Sequence, residues 1–239
     1  MKEIRIGTWN MQGCFIEGMS LLNTVCGLLD TVDVLCLQEC GVLQERKSWL
    51  PVQGYRGLFM TDLNAGTESR KRNLRIYHYP YGDNPRCSMA VLVDLDLFSQ
   101  EYIFPILIKG EGNVRPCLGV RCCEWGVFCV HAPSGYDTYA RKTVYGFINV
   151  IDKNLHDGVF EKVVIAGDFN TSPDLFDLSD TGYKCCYLID DSGNMVPTRP
   201  SSDACYDYCI IKRAEPKEAG VMDATSGLSD HLGVGFLFE

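Results

Sequence analysis

Short apolar runs that stop at a polar side chain recur along the chain. The clearest is Val163-Val164-Ile165-Ala166, which leads into Gly167-Asp168-Phe169-Asn170. A continuous apolar run of this length predicts a strand covered on both faces, and the glycine predicts a sharp turn where the strand ends. Taken alone, Gly-Asp-x-Asn here reads as an Asx turn. Ile4 to Trp9 predicts a first strand ending in Asn10-Met11-Gln12-Gly13, and Val32 to Leu37 a second ending in Gln38-Glu39, with a helix from Glu17 to Leu29 between them. Residues 41–72 carry a weaker pattern: a strand over Gly54 to Met60, then an exposed, partly basic loop from Leu63 to Arg72. Strand patterns return at Asn73 to Tyr79, Ser88 to Val93 and Tyr102 to Ile108. The first two flank the turn residues Tyr81-Gly82-Asp83-Asn84-Pro85, which predicts a hairpin.

Cys117 to Arg121 and Val127 to Val130 continue the series, the latter delivering His131 at its end. Between Tyr136 and Leu155 the period changes. Ala140, Val144, Phe147, Ile148, Ile151 and Leu155 recur at helical spacing, so one helix face packs on the core. Beyond Asp168, the segment Asp174 to Gly182 is irregular, Cys185 to Ile189 reads as a short strand, and Gly193 to Asp203 as a polar loop. Tyr206 to Ile211 forms a strand with Asp207 near its start, and Ser229-Asp230-His231 precedes a last strand over Leu232 to Phe238. Strands outnumber helices and do not alternate with them one for one. Packed β-sheets flanked by helices are therefore expected rather than a doubly wound parallel sheet. With no linker or repeat, residues 1–239 read as one domain.

Composition narrows the function classes. No apolar run approaches the ~20 residues needed to span a bilayer, and Met1 to Ile6 alternates like a strand rather than resembling a signal peptide, so the chain reads as soluble. A net charge of −9 argues against a generic polyanion binder, although local basic groups can steer an anion: Arg70, Lys71, Arg72 and Arg75, with Arg86, Arg115 and Arg121. Thirteen cysteines leave at least one unpaired, and their spacing offers no two close C-x-x-C pairs for zinc. Cys36 and Cys129 lie inside apolar runs, where a thiol is a small hydrophobe.

Polar residues collected at strand ends are Asn10, Glu39, His131, Asp168, Asn170, Asp207, Asp230 and His231. Thr8-Trp9-Asn10, Leu37-Gln38-Glu39, His131, Gly167-Asp168-Phe169-Asn170, Asp207-Tyr208 and Ser229-Asp230-His231, in this order, resemble the metal-dependent endonuclease, exonuclease and phosphatase superfamily that includes DNase I. Within it, Gly7 to Gly13, Arg72-Asn73 through Tyr79, and Val114-Arg115-Pro116 through Arg121 are similar to the catalytic B subunits of cytolethal distending toxins. The cysteine abundance and Ala132-Pro133-Ser134-Gly135 depart from that pattern.

The resemblance implies an α+β fold, a four-layer DNase I-like β-sandwich flanked by helices. It also implies hydrolysis of DNA at low sequence specificity by a genotoxin-type endonuclease. Mg²⁺, with Mn²⁺ or Ca²⁺ as substitutes, would be held by Glu39, with Asn10 and Asp230 as further metal-side residues; Mg²⁺ suits such oxygen donors. Asp207 would orient His231 toward the attacking water, Asp168 and Asn170 would place water and phosphate, and His131 would serve the phosphate or leaving group. Arg115 and Arg86 would contact the DNA backbone. A secreted toxin with delivery subunits, acting in the target-cell nucleus, follows from the same resemblance. The same residues would also serve a phosphoinositide phosphatase, and a non-catalytic binding module could retain the fold. His78 and His156 lack such contexts and read as structural.

Overall fold

The computed structural model describes residues 3–13, 25, 27–41, 49–67, 70–82, 84–110, 112 and 114–239. Its strands are β1 (Ile4–Asn10), β2 (Val34–Gln38), β3 (Leu50–Pro51), β4 (Phe59–Thr67), β5 (Arg70–Tyr79), β6 (Met89–Asp94), β7 (Ile103–Ile108), β8 (Cys117–Cys122) and β9 (Trp125–His131). The helix α1 (Asp137–His156) follows, then β10 (Lys162–Asp168), β11 (Lys184–Cys186), β12 (Asp207–Lys212), β13 (Pro216–Val221) and β14 (Val234–Phe238). They form an eight-stranded sheet, β13-β14-β1-β2-β6-β5-β4-β3, and a six-stranded sheet, β11-β12-β10-β9-β8-β7.

Period-two alternation explains how the sheets stack. In β10, Val164 and Ala166 join Ile4, Ile6, Val34, Cys36, Val127 and Cys129 in a core between the two sheets. Val163 and Ile165 point the other way and pack with Ala140, Val144, Phe147, Ile148, Ile151 and Leu155 of α1. Leu35, Leu37, Ala90 and Leu92 cover the far face of the larger sheet together with Val25, Leu28 and Leu29. The result is a sheet-on-sheet sandwich with helical segments outside, the DNase I-like arrangement. Of the expected helix Glu17 to Leu29, residues 17–24 and 26 lie outside the described residues; Val25, Gly27 and Leu28 are helical.

Each sheet has one parallel pair at its centre, β1 with β2 and β9 with β10, and antiparallel neighbours around it. A parallel pair brings two strand C-termini side by side, so each sheet presents two chain ends at one edge. Among the described residues no helix is long and apolar enough to cross a membrane. All eleven described cysteines are free thiols, and those within the sandwich core act as small hydrophobes.

Several expectations are corrected. Gly54 to Met60 is largely turn, and the strand begins at Phe59. Of the supposed loop from Leu63 to Arg72, residues 63–67 and 70–72 belong to a long hairpin, β4 against β5 in continuous register from Phe59↔His78 to Thr67↔Arg70, and residues 68 and 69 lie outside the described residues. Asp62 on β4 is bridged to Arg75 on β5 at 2.7 Å, a polar cross-strand pair where a strand pattern would show an apolar one. The whole of β13 also escapes the pattern, because every residue of this edge strand is exposed. Cys185 to Ile189 shortens to β11, with Ile189 in an isolated bridge to Met195.

Gly167 does not turn the chain, as the sequence suggested; it lies within β10, and the left-handed turn falls instead at Asn170, φ 49°. Glycine is needed at 167 because a Cβ there would lie 1.9 Å from the Val130 carbonyl oxygen. Gly167→Ala is therefore expected to destabilise the fold by about 3 kcal/mol or more, read as a lowered urea midpoint. At Gly220, where nothing lies within 4 Å of the place a methyl group would take, alanine should shift stability by less than about 0.5 kcal/mol.

Candidate active site

The same alternation places the polar strand ends. Asn10 follows Ile4, Ile6 and Thr8 on the inner face of β1; His131 follows Val127 and Cys129 on β9; Asp168 follows Val164 and Ala166 on β10; Asp207 precedes Cys209 and Ile211 on β12. All four therefore point into the gap between the sheets, at one end of it. Asn10 Nδ2 donates to Asp168 Oδ2 at 2.8 Å, joining the two sheets there. The backbone N–H of Gln12 donates to Asn10 Oδ1 at 3.0 Å, which orients the amide. Beneath them, Gln38 is buried and bonded to Thr8 Oγ1 and to Cys129 Sγ.

Glu39 leaves this alternation. Its φ of 47° is left-handed, a strained backbone for a non-glycine residue, and it turns the chain directly after Gln38. Its Oε1 lies 3.6 Å from His131 Nε2 and its Oε2 accepts from Arg86 Nε at 2.8 Å. Asn170, also left-handed, donates its backbone N–H to Asp168 Oδ1 at 2.9 Å and its side-chain amide to the Ala132 carbonyl at 3.0 Å. Asn170 thus holds the Asp168 carboxylate from behind.

His231 sits just before β14, pinned by a 3.1 Å bond from its backbone N–H to Ser229 Oγ, which itself donates to the Asn10 carbonyl. Its Nδ1 donates to Asp207 Oδ2 at 2.7 Å, so Nε2 is the free end, 3.9 Å from Asp168 Oδ2 and 3.7 Å from Asp230 Oδ1. Thr198 Oγ1 donates to the same Asp207 oxygen at 2.9 Å and accepts the Asp207 backbone N–H. Nothing in the sequence marked Thr198, because its partner lies nine residues away across a loop. Asp230 is ion-paired to Arg199 at 3.0 Å, a second residue the sequence pattern did not single out.

Burial sets the protonation states. It pushes the Asp168 carboxyl up to about 7, helped by the charge of Asp207. For His231, burial acts downward, but the hydrogen bond and charge of Asp207, with Asp168 and Asp230, outweigh it and raise the imidazole to about 9. His131 is driven well below the usual histidine value by burial and by the nearby cations Arg115, His231 and Arg86, so it is neutral. Its Nδ1 has no hydrogen-bond partner among the described residues.

Asp168, Asp207 and His231 bring potential ligand atoms within 4.8 Å of one another. Asp207 and His231 are already committed to each other, however. Glu39 Oε1 and Asp168 Oδ2 each approach His131 Nε2, at 3.6 and 3.7 Å. Glu39 is half-buried and Asp168 buried, and hard carboxylate oxygens of this kind fit a divalent cation.

The basic residues divide. Arg86 and Arg115 lie at the site; Arg115 Nη2 donates to Cys87 Sγ at 3.4 Å, and its buried Nε has no partner among the described residues. Arg72 and Arg75 are instead ion-paired on β5, to Asp94 with Asp30 and to Asp62 respectively, and Arg121 bonds the Cys123 carbonyl. His78 is buried away from the site, with Nε2 3.1 Å from the Gly41 carbonyl.

Known structures share this architecture. The structure of the Haemophilus ducreyi cytolethal distending toxin superposes with a TM-score of 0.72 at 19% identity, covering 98% of this chain and 97% of that one. A structure of CdtB, described as the biologically active subunit of cytolethal distending toxin, gives 0.71 at 22% identity over 98% and 96%. The human Nocturnin catalytic domain with bound sulfate gives 0.59 at 16% identity over 99% and 94%. At these identities the likeness is one of fold. No curated protein matches by sequence. The sequence profile of the Endonuclease/Exonuclease/phosphatase family matches residues 7–231, from the Gly7-Thr8-Trp9-Asn10 strand to His231, and the chain belongs to that family.

Proposed function

We propose that the chain is a Mg²⁺-dependent deoxyribonuclease that hydrolyses phosphodiesters of duplex DNA with little sequence preference. The observation that carries this reading is the Asp207–His231 pair at 2.7 Å, whose free Nε2 faces the Asp168 carboxylate. In the reaction a water oxygen attacks phosphorus, one P–O bond forms and the bond to the leaving oxygen breaks. His231 Nε2 takes the water proton, and Asp207 holds Nδ1 and stabilises the imidazolium. Asp168, fixed by Asn10 and Asn170, positions the water. Neutral His131 donates a hydrogen bond to the phosphate or the departing oxygen, and Arg115 and Arg86 hold the phosphate backbone. Glu39 would hold the cation, which when bound would neutralise phosphate charge and favour deprotonated Asp168 and His231. Contacts to phosphate carry little base information, hence the low specificity. A toxin-type role, like that named for the cytolethal distending toxin structures of the same fold, is part of this proposal.

Supercoiled plasmid in Mg²⁺ should be nicked by the wild-type chain, protected by EDTA, and cut about 10²–10⁴-fold more slowly by His231→Ala. Intact plasmid with folded protein would reject the assignment. Faster phosphate release from a soluble phosphoinositide than cleavage of DNA would assign the site to lipid headgroups.

The dyad has its own signature. In metal-free protein followed by NMR, the His231 imidazole should titrate near 9, and Asp207→Asn should lower that value by roughly 1–3 pH units. Because the folded value lies above the ordinary 6.5, the stability gained from His231 protonation is fully present below that pH and is lost as pH rises through about 9. The stability gap between wild type and Asp207→Asn should accordingly narrow over that interval in urea titrations.

A further inference from the structure

The ionic contacts at the site form a connected series with Asp168 at its middle. On one side run His131, Glu39 and Arg86, with separations of 3.7, 3.6 and 2.8 Å. On the other run His231, Asp230 and Arg199, with separations of 3.9, 3.7 and 3.0 Å. Each arm ends in a guanidinium that caps a carboxylate lying beside a histidine Nε2. We propose that Arg199 forms a second phosphate subsite, separate from the one at Arg86, so that the site takes a polyanionic strand and holds a further phosphate besides the one being cleaved. This proposal rests on the nuclease reading and names the form of its substrate.

Two observations support it. The guanidinium is exchangeable: Nε and Nη2 both contact the single oxygen Asp230 Oδ2, at 3.1 and 3.0 Å, and the side chain is 36% exposed. A partly exposed ion pair of this kind is weak, so a phosphate can replace Asp230 at little cost. By contrast, Arg75 donates two bonds of 2.7 Å to both oxygens of Asp62 and is only 11% exposed, which commits it to the fold.

The backbone of Arg199 is also fixed where a subsite needs it. Arg199 N donates to the Ala204 carbonyl at 2.9 Å, and the preceding Thr198 is buried against Asp207 while its carbonyl accepts from Leu232 N at 2.8 Å. The residue is therefore held by the same elements that place His231.

Binding of a fluorescein-labelled duplex oligonucleotide to the full chain carrying His231→Ala, in Mg²⁺ and across a salt series, tests the subsite. Adding Arg199→Ala should weaken binding about tenfold and lower the slope of log K against log salt by roughly 1. Arg199→Lys should keep the slope, because a point charge still neutralises phosphate. Asp230→Asn should tighten binding severalfold when Arg199 is present and clearly less in the Arg199→Ala background, because the gain beyond relief of the acid's own repulsion comes from the released guanidinium. A slope unchanged by Arg199→Ala, or a gain from Asp230→Asn that is the same with and without Arg199, would overturn the subsite. The two readings fail separately. A wild-type chain that leaves plasmid intact rejects the nuclease, whereas normal nicking with an unchanged slope rejects the Arg199 subsite alone.

Discussion

The 2.8 Å hydrogen bond from Asn10 to Asp168 ties the end of β1 in one sheet to the end of β10 in the other, and every other feature of the site is built around it. It exists because both strands present the same parity to the gap. Ile4 and Ile6 on β1, and Val164 and Ala166 on β10, fill the dry interior, and the inward positions at the strand ends are polar. Glycine at 167 lets β10 lie close against the Val130 carbonyl, which keeps Asp168 in register with His131 on one side and Asp207 on the other. A bulkier residue there would move the carboxylate that both histidines face.

Burying carboxylates is unfavourable unless each finds a partner. Asp207 finds His231 and Thr198; Asp168 finds Asn10 and the Asn170 backbone; Glu39 finds Arg86; Asp230 finds Arg199. The compensation is graded. The first two acids are held by short bonds from buried groups, which fixes their geometry, whereas the outer two are capped by guanidiniums on the rim. That gradient separates a rigid centre, suited to positioning water, from an exchangeable edge, suited to an arriving anion. On the proposed reading, the same matching would let a chain with a net charge of −9 take a polyanion, since the acids are internally paired and arginines stand beside them.

Where the chain was hard to read, the reason is physical. The β4–β5 hairpin stabilises itself through cross-strand register and polar pairs such as Asp62 with Arg75, so its outer face imitates a charged loop. An edge strand with every side chain exposed, as in β13, has no apolar alternation to betray it. The glycine of Gly167-Asp168 was legible as special but for another reason than turning: only the neighbouring strand reveals the carbonyl that excludes a Cβ.

Local pattern was sufficient for the strands that carry the polar ends, for the helical face of α1, and for Asn10, Glu39, His131, Asp168, Asn170, Asp207, Asp230 and His231 as a set, because each stands where an apolar run stops or starts. Tertiary structure alone decided how the set is divided. It paired His231 with Asp207 and left Nε2 free, set His131 between Glu39 and Asp168, and recruited Thr198 and Arg199 from a polar loop. Periodicity records which face of a strand is buried. Which groups meet across that face depends on sheet order, register and loop closure, and these are properties of contacts between residues far apart in the chain.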